Sequence, residues 1–231
     1  PYVPNDRRNL AVQAAEAFFK ALGEEGRGAR IRLFKKVPVA AGMAGGSSDA
    51  AATLRALNQL LGEPLSKEAL LGLGANVGSD VPFCLMGGTA LAEGRGERLL
   101  PLQCPPDACV LLVKPPYSLS TARVFGALDL DAIGDRPDTE AALAALRAGD
   151  LASLCGQVKN VLESPAAAIR PGVLAIKERL LSRGALAAAM TGSGPTVFAL
   201  FVHRDQAEKC LKAERNAAGT VLLTTFQPSA V

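Results

Sequence analysis

Residues Pro38–Ala52 read Pro-Val-Ala-Ala-Gly-Met-Ala-Gly-Gly-Ser-Ser-Asp-Ala-Ala-Ala, and this stretch decides the fold. Its first part is a run of glycines and small side chains. Its second part, continuing to Leu61, has high helix propensity, with leucines at 54, 57 and 61. A glycine-rich loop is therefore expected to run into a helix over Ala50–Leu61. Ser47, Ser48 and Asp49 offer N-cap chemistry, and Gly62-Glu63-Pro64 closes the helix. Glycines let backbone N–H groups converge on an anion, and a helix start adds unpaired donors and a positive dipole end. One charge held there gains ~0.3–1 kcal/mol, up to ~2 when partly buried. Gly42–Ser48 is thus a candidate phosphate cradle, although a plain Gly/Ser turn has the same composition. Two other loops are excluded. No lysine follows Gly46 as a Walker loop requires, and neither Gly42 nor Gly45 has the later glycines of GxGxxG.

Working outward, Asn9–Leu22 carries Leu10, Ala14, Phe18 and Leu22 on one stripe and stops at Gly23, which predicts an amphipathic helix. Arg30-Ile31-Arg32-Leu33 alternates as a half-buried strand does. Ser66–Leu73 reads as a short helix, Gly74–Ser79 as turn, and a short strand lies between Gly87-Gly88 and Gly94/Gly96. Pro101–Pro106 reads as a linker between two domains, 1–103 and 104–231. Beyond it, Cys109–Val113, Ala187–Met190, Thr196–Val202 and Thr220–Phe226 are expected strands. Thr139–Arg147, Leu151–Leu162, Pro171–Ser182 and Asp205–Ala213 are expected helices. The class is α+β.

Composition narrows the chemistry. Net charge is +3 with scattered basic residues, aromatics are 4%, and tryptophan is absent, which argues against a nucleic-acid partner. No apolar stretch reaches the ~20 residues that span a bilayer, so a cytoplasmic location without a membrane partner is expected. Five cysteines without a CxxC pair favour buried free thiols over zinc or disulfides, and no metal-ligating set of side chains is read. With His203 as the single histidine, at a strand end, acid–base chemistry falls to carboxylates, lysines or tyrosines.

The string Pro38–Ala52 resembles the nucleotide-phosphate loop of the GHMP kinases. Gly45–Asn58, GGSSDAAATLRALN, looks like the branch of that family acting on a cytidine diphosphate-linked methylerythritol. Gly78-Ser79-Asp80-Val81-Pro82-Phe83, followed by GGTALAEGRGE over Gly87–Glu97, is similar to that branch's second block, with Ser79 in place of the usual alanine. Thr191-Gly192-Ser193-Gly194-Pro195-Thr196-Val197-Phe198 resembles the family's C-terminal glycine motif. Three blocks in family order are a far more specific signal than any one.

The resemblance implies a two-domain GHMP kinase fold. Its N-terminal nucleotide-binding domain would be ribosomal-protein-S5-like and incomplete here, and its C-terminal domain a ferredoxin-like α/β sandwich. It implies ATP and Mg²⁺ as cofactors and transfer of the γ-phosphoryl to the 2-hydroxyl of the methylerythritol. ATP would be held by Pro38, Val39, Ala40, Ala41, Gly42, Met43, Ala44, Gly45, Gly46, Ser47 and Ser48. Asp80 aligns with the family's catalytic aspartate; read without the block, it would cap the segment Val81–Met86. Pro115–Phe125, PPYSLSTARVF, resembles the stretch near the nucleobase, with Thr121 as a contact and Phe125 as a stacking ring. Phe125 beside Val124 and Leu128 would equally suit a core. Gly192, Ser193 and Gly194 form a supporting loop, or simply a hairpin turn.

One departure stands out. The family opens with a strand bearing Ala-Lys-Ile/Leu-Asn-Leu, whose lysine belongs to the catalytic pair, and Pro1–Arg8 lacks it. A missing N-terminal segment of several dozen residues, and an inactive chain without it, are the expectation. Another GHMP kinase (homoserine or mevalonate kinase) and a non-catalytic sensor on the same fold are the rival readings. The expected assembly is a monomer or weak homodimer.

Overall fold

The computed structural model describes residues 3–215 and 219–227. Two compact units divide the chain. Among the described residues the first takes 3–39 and 44–103, and the second takes 40–43, 104–215 and 219–227.

In the first unit, α1 (Leu10–Ala21) starts where the Asn9 side chain accepts the Ala11 N–H, and it ends ahead of Gly23, at φ 70°. Its stripe is buried as its spacing predicts. Ala14 and Phe18 are fully buried against Ala50, Ala51 and Leu54 of α2 (Gly45–Leu60). Burying a side chain such as Phe18 or Leu54 contributes about 1.5–3 kcal/mol. Helix α3 (Lys67–Val77) is capped by Ser66, whose Oγ accepts the Ala69 N–H. A short α4 (Val81–Met86) follows. The antiparallel hairpin of β1 (Thr89–Glu93) and β2 (Arg98–Leu102) closes the unit.

Several sequence expectations are corrected here. Residues 29–36 form no strand, since no described segment lies beside them to complete a ladder; Ile31 still packs on the α1–α2 core. Helix α2 begins at Gly45, not Ala50, so Ser47, Ser48 and Asp49 lie inside it instead of capping it. Helix α3 runs on to Val77. There Gly74 lets α4 approach so closely that a Cβ would sit 2.9 Å from Leu85 Cδ1. Part of the expected linker, Pro101-Leu102, is strand.

The second unit is a four-stranded antiparallel sheet, order β4-β5-β3-β6. It is made of β3 (Cys109–Lys114), β4 (Ala187–Met190), β5 (Val197–Phe201) and β6 (Thr220–Thr225). Numbered within the unit the order is 2-3-1-4, with helices in the connections, and this is the expected ferredoxin-like sandwich. Strand β3 alternates as the pleat requires. Leu111 and Val113 face a core with Val173, Ile176 and Leu180 of α9 (Gly172–Ser182) and Ala207 and Cys210 of α10 (Arg204–Arg215). Val110 faces the other side with Cys155 of α7 (Leu151–Gly156). Helices α5 (Thr121–Gly126), α6 (Thr139–Ala148) and α8 (Glu163–Ile169) complete the unit. The single helix expected over Leu151–Leu162 is two, because the chain leaves helical geometry after Gly156 and re-enters at Glu163. The thiols are free as expected, but Cys104 is exposed and Cys84 half-buried; only Cys109, Cys155 and Cys210 are buried.

Glu214 on α10 is fully buried and ion-paired with Arg179, whose Nε and Nη2 donate to its two carboxylate oxygens at 2.8 and 2.7 Å, and with Arg183. Removing both arginines by Arg179→Met with Arg183→Met would strand a carboxylate with no water. The double variant is expected to lose ~3–5 kcal/mol of stability. A urea midpoint unchanged at constant slope would show the pair to be dispensable.

Candidate active site

The glycine-rich loop reaches α2 through a left-handed residue. Ala44, the N-cap, has φ 48° and ψ 28°, and it makes no side-chain capping bond. Gly45, Gly46 and Ser47 therefore open the helix with N–H groups that no intrahelical carbonyl can satisfy. Starting the helix at Gly45 keeps the loop's donors at the very end of the dipole, a better anion site than the later start expected from sequence. Ser47 is buried, and the Ser48 hydroxyl donates to Gly45 O at 2.9 Å.

Lys35 was visible in the sequence only as half of a Lys-Lys pair, yet it belongs to this loop. Its Nζ donates to Gly45 O at 2.9 Å and to Asp49 Oδ2 at 2.6 Å, both partners being mostly buried. The signal available was its place three residues ahead of Pro38, where an extended segment returns along the helix start.

Asp80 lies at the start of α4 with φ −90° and ψ −7°, and its carboxylate makes no capping bond. The capping alternative therefore does not describe this side chain. It is exposed, with Ser79 Oγ at 3.4 Å, and among the described residues it forms no ion pair. Burial, and next the Asp80 charge, push the Cys84 thiol up, while Arg55 of α2 pulls the other way; the three groups are neighbours. The Leu10 side chain touches the space beside both Gly46 and Gly78, so the start of α2 and the Gly78–Asp80 turn flank one methyl group. Within the first unit the start of α2 and the turn that leads into Asp80 thus lie close together.

Within the second unit, Ala40–Met43 lies against the Thr191–Gly194 turn. Thr191 Oγ1 donates to Gly42 O at 3.0 Å. A Cβ on Gly42, at φ 69°, would be 2.4 Å from Thr191 O and 2.9 Å from Gly194 N and O. The turn does connect β4 and β5, as the hairpin alternative held, and it packs on the glycine loop as well. Ser193 Oγ is 2.8 Å from Thr121 Oγ1 at the start of α5, so two stretches 72 residues apart meet. Phe125 is 55% exposed, whereas its neighbour Val124 is fully buried; the ring is not a core residue.

Within the first unit the residues present suit a phosphate group: an uncapped helix start with one lysine beside it. Among the described residues no group of three or more His, Cys, Asp or Glu side chains could hold a metal. No described helix is long and apolar enough to cross a membrane.

Comparison with known proteins gives two family matches: the GHMP kinases N terminal domain over residues 9–88 and the GHMP kinases C terminal domain over 142–217. A 4-diphosphocytidyl-2-C-methyl-D-erythritol kinase of Exiguobacterium sibiricum is 50% identical over 220 residues, covering 95% of this chain and 76% of that protein. The enzyme of the same name from Bacillus subtilis is 47% identical over 208 residues, covering 90% and 71%. A crystal structure of 4-(cytidine 5'-diphospho)-2C-methyl-D-erythritol kinase superposes with TM-score 0.81 at 36% identity, over 96% of this chain and 79% of that one. Homoserine kinase from Cytophaga hutchinsonii shares the fold, with TM-score 0.78 at 21% identity over 98% and 78%. The chain belongs to the GHMP kinases, in the family of the 4-diphosphocytidyl-2-C-methyl-D-erythritol kinases.

Proposed function

We propose that the protein transfers the γ-phosphoryl of ATP to the 2-hydroxyl of 4-diphosphocytidyl-2-C-methyl-D-erythritol. The observation that carries this reading is the uncapped start of α2 beside the Gly78–Asp80 turn. Half-identity to relatives of that name supports this acceptor over homoserine or mevalonate, and supports an enzyme over a sensor. MgATP supplies the phosphoryl group: the bond from γ-phosphorus to its bridging oxygen breaks as one to the acceptor oxygen forms, and the hydroxyl proton leaves. Such transfers depend on positioning and charge stabilisation.

The chain's own residues divide that work. The N–H groups of Gly45, Gly46 and Ser47 bind phosphate oxygens, and Gly42 lets the loop lie flat on the Thr191–Gly194 turn. Lys35, held by Asp49, keeps the loop's exit fixed and adds positive charge at its rim. Asp80 orients the acceptor hydroxyl and takes up its proton. Thr121 and Phe125 would contact the acceptor's cytidine end. Phe125 offers an exposed face for a base, and base–aromatic stacking is worth ~1–3 kcal/mol.

Competition among acceptors tests the reading. With the full-length protein and MgATP, phosphate transfer to the cytidylylated acceptor, followed by ³¹P NMR, is expected to exceed that to homoserine or mevalonate at least ~100-fold in kcat/KM. Equal or reversed preference would overturn it.

A further inference from the structure

Strand β4 lies at the edge of its sheet, so half of its backbone groups have no ladder partner. At its last residue side chains take that place. Glu163 Oε1 accepts the Met190 N–H at 2.7 Å, and Asn160 Nδ2 donates to Met190 O at 2.7 Å and to Gly192 O at 2.8 Å. Both residues are themselves fixed. Asn160 Oδ1 accepts the Leu162 N–H at 2.9 Å, and Glu163 Oε2 accepts from Lys177 Nζ of α9 at 2.6 Å. The three groups they hold lie immediately before and inside the Thr191–Gly194 turn.

We propose that Asn160 and Glu163 are positioning residues that fix the Thr191–Gly194 turn and, through it, Gly42 of the phosphate loop. The inference rests on the kinase reading above. Simple protection of a strand edge would stop at Met190. Here the amide reaches two residues further, to the carbonyl of Gly192, an exposed residue that water could satisfy. The turn so held is the one whose Thr191 hydroxyl bonds Gly42 O and whose Gly194 backbone abuts the Gly42 Cα. The break in the helix expected over Leu151–Leu162 serves the same end, because Asn160 sits in the non-helical segment between α7 and α8. A shift of the turn moves Gly42, and Gly42 lies three residues ahead of the first helical N–H.

Asn160→Asp tests this with nearly no change of shape, since it sets a carboxylate oxygen against two carbonyl oxygens. In the full-length protein the Kd for MgADP, measured by calorimetry, is expected to rise at least ~10-fold and kcat to fall by a similar factor. The KM for the alcohol should change less than about threefold. Amide exchange should quicken at Thr191 and Gly194 but not at Leu111 or Ala199 in the sheet. Glu163→Gln keeps an oxygen for the Met190 N–H and should recover most of what Glu163→Ala loses. If Asn160→Asp does not fold, the two Glu163 variants test the same turn through its other anchor. Folded variants with lowered melting temperatures but nucleotide affinity and kcat within twofold of the parent would overturn the inference and leave only edge protection. A parent that fails to bind MgADP would overturn the kinase reading, and this inference with it.

Discussion

Replacing Asp80 by asparagine in the full-length protein is expected to lower kcat by ~10²–10⁴ while leaving the fold intact. The fold makes little use of this carboxylate. Asparagine serves as an N-cap about as well as aspartate, so even a capping role would cost the fold little. The Asp80 carboxylate caps nothing, forms no ion pair among the described residues, and is exposed, so asparagine removes a negative charge that no folding contact uses. What it does remove is the group proposed to accept the acceptor's proton. The loss should therefore fall on kcat, at saturating concentrations of both substrates, with KM for ATP little changed. Steady-state kinetics paired with a melting curve check it. A drop under threefold would take Asp80 out of the proton-accepting role.

The fold was legible where a segment's own pattern matched its surroundings. The four-residue stripe of α1 names the face that meets α2, and Phe18 and Ala14 are fully buried there. The apolar runs around β3, β4, β5 and β6 needed only partners of the same kind, and the sheet supplied them. Legibility failed where tertiary contact overrides local preference. Arg30–Leu33 alternates like a strand but has no ladder partner among the described residues. Helix α2 starts early because Ala44 takes a left-handed backbone that no propensity scale gives an alanine. Ser47, Ser48 and Asp49 look like caps, and become instead a buried hydroxyl, a donor to Gly45 O and the counter-ion of Lys35.

For the site, ordered motifs brought Gly42–Ser48, Asp80 and Thr191–Gly194 to notice. The residues that hold them, Lys35, Asn160 and Glu163, carry no motif of their own. Their part is visible only as hydrogen bonds across 10 to 32 residues of sequence.

The glycine at position 42 carries the second large expectation: Gly42→Ala should weaken MgADP binding by ~10² or more, about 2.7 kcal/mol. Two costs combine. The backbone, at φ 69°, is left-handed, which costs an alanine about 1–2 kcal/mol. The added methyl would also lie 2.4 Å from Thr191 O, and neither side can give way cheaply. Thr191 O already accepts the Gly194 N–H at 2.9 Å. Gly194 is itself packed so closely that a Cβ there would meet Met190 Sδ at 2.4 Å. The loop must therefore lift from the turn, and the displacement passes along the chain to the helix start proposed to bind phosphate. Gly62→Ala separates the two costs. Its φ is 78° but nothing lies within 4 Å of a Cβ, so it should lose stability alone and leave nucleotide affinity unchanged. Calorimetric titration of both variants decides the matter. Binding by Gly42→Ala within threefold of the parent would mean that the close approach of loop and turn has no part in holding the nucleotide.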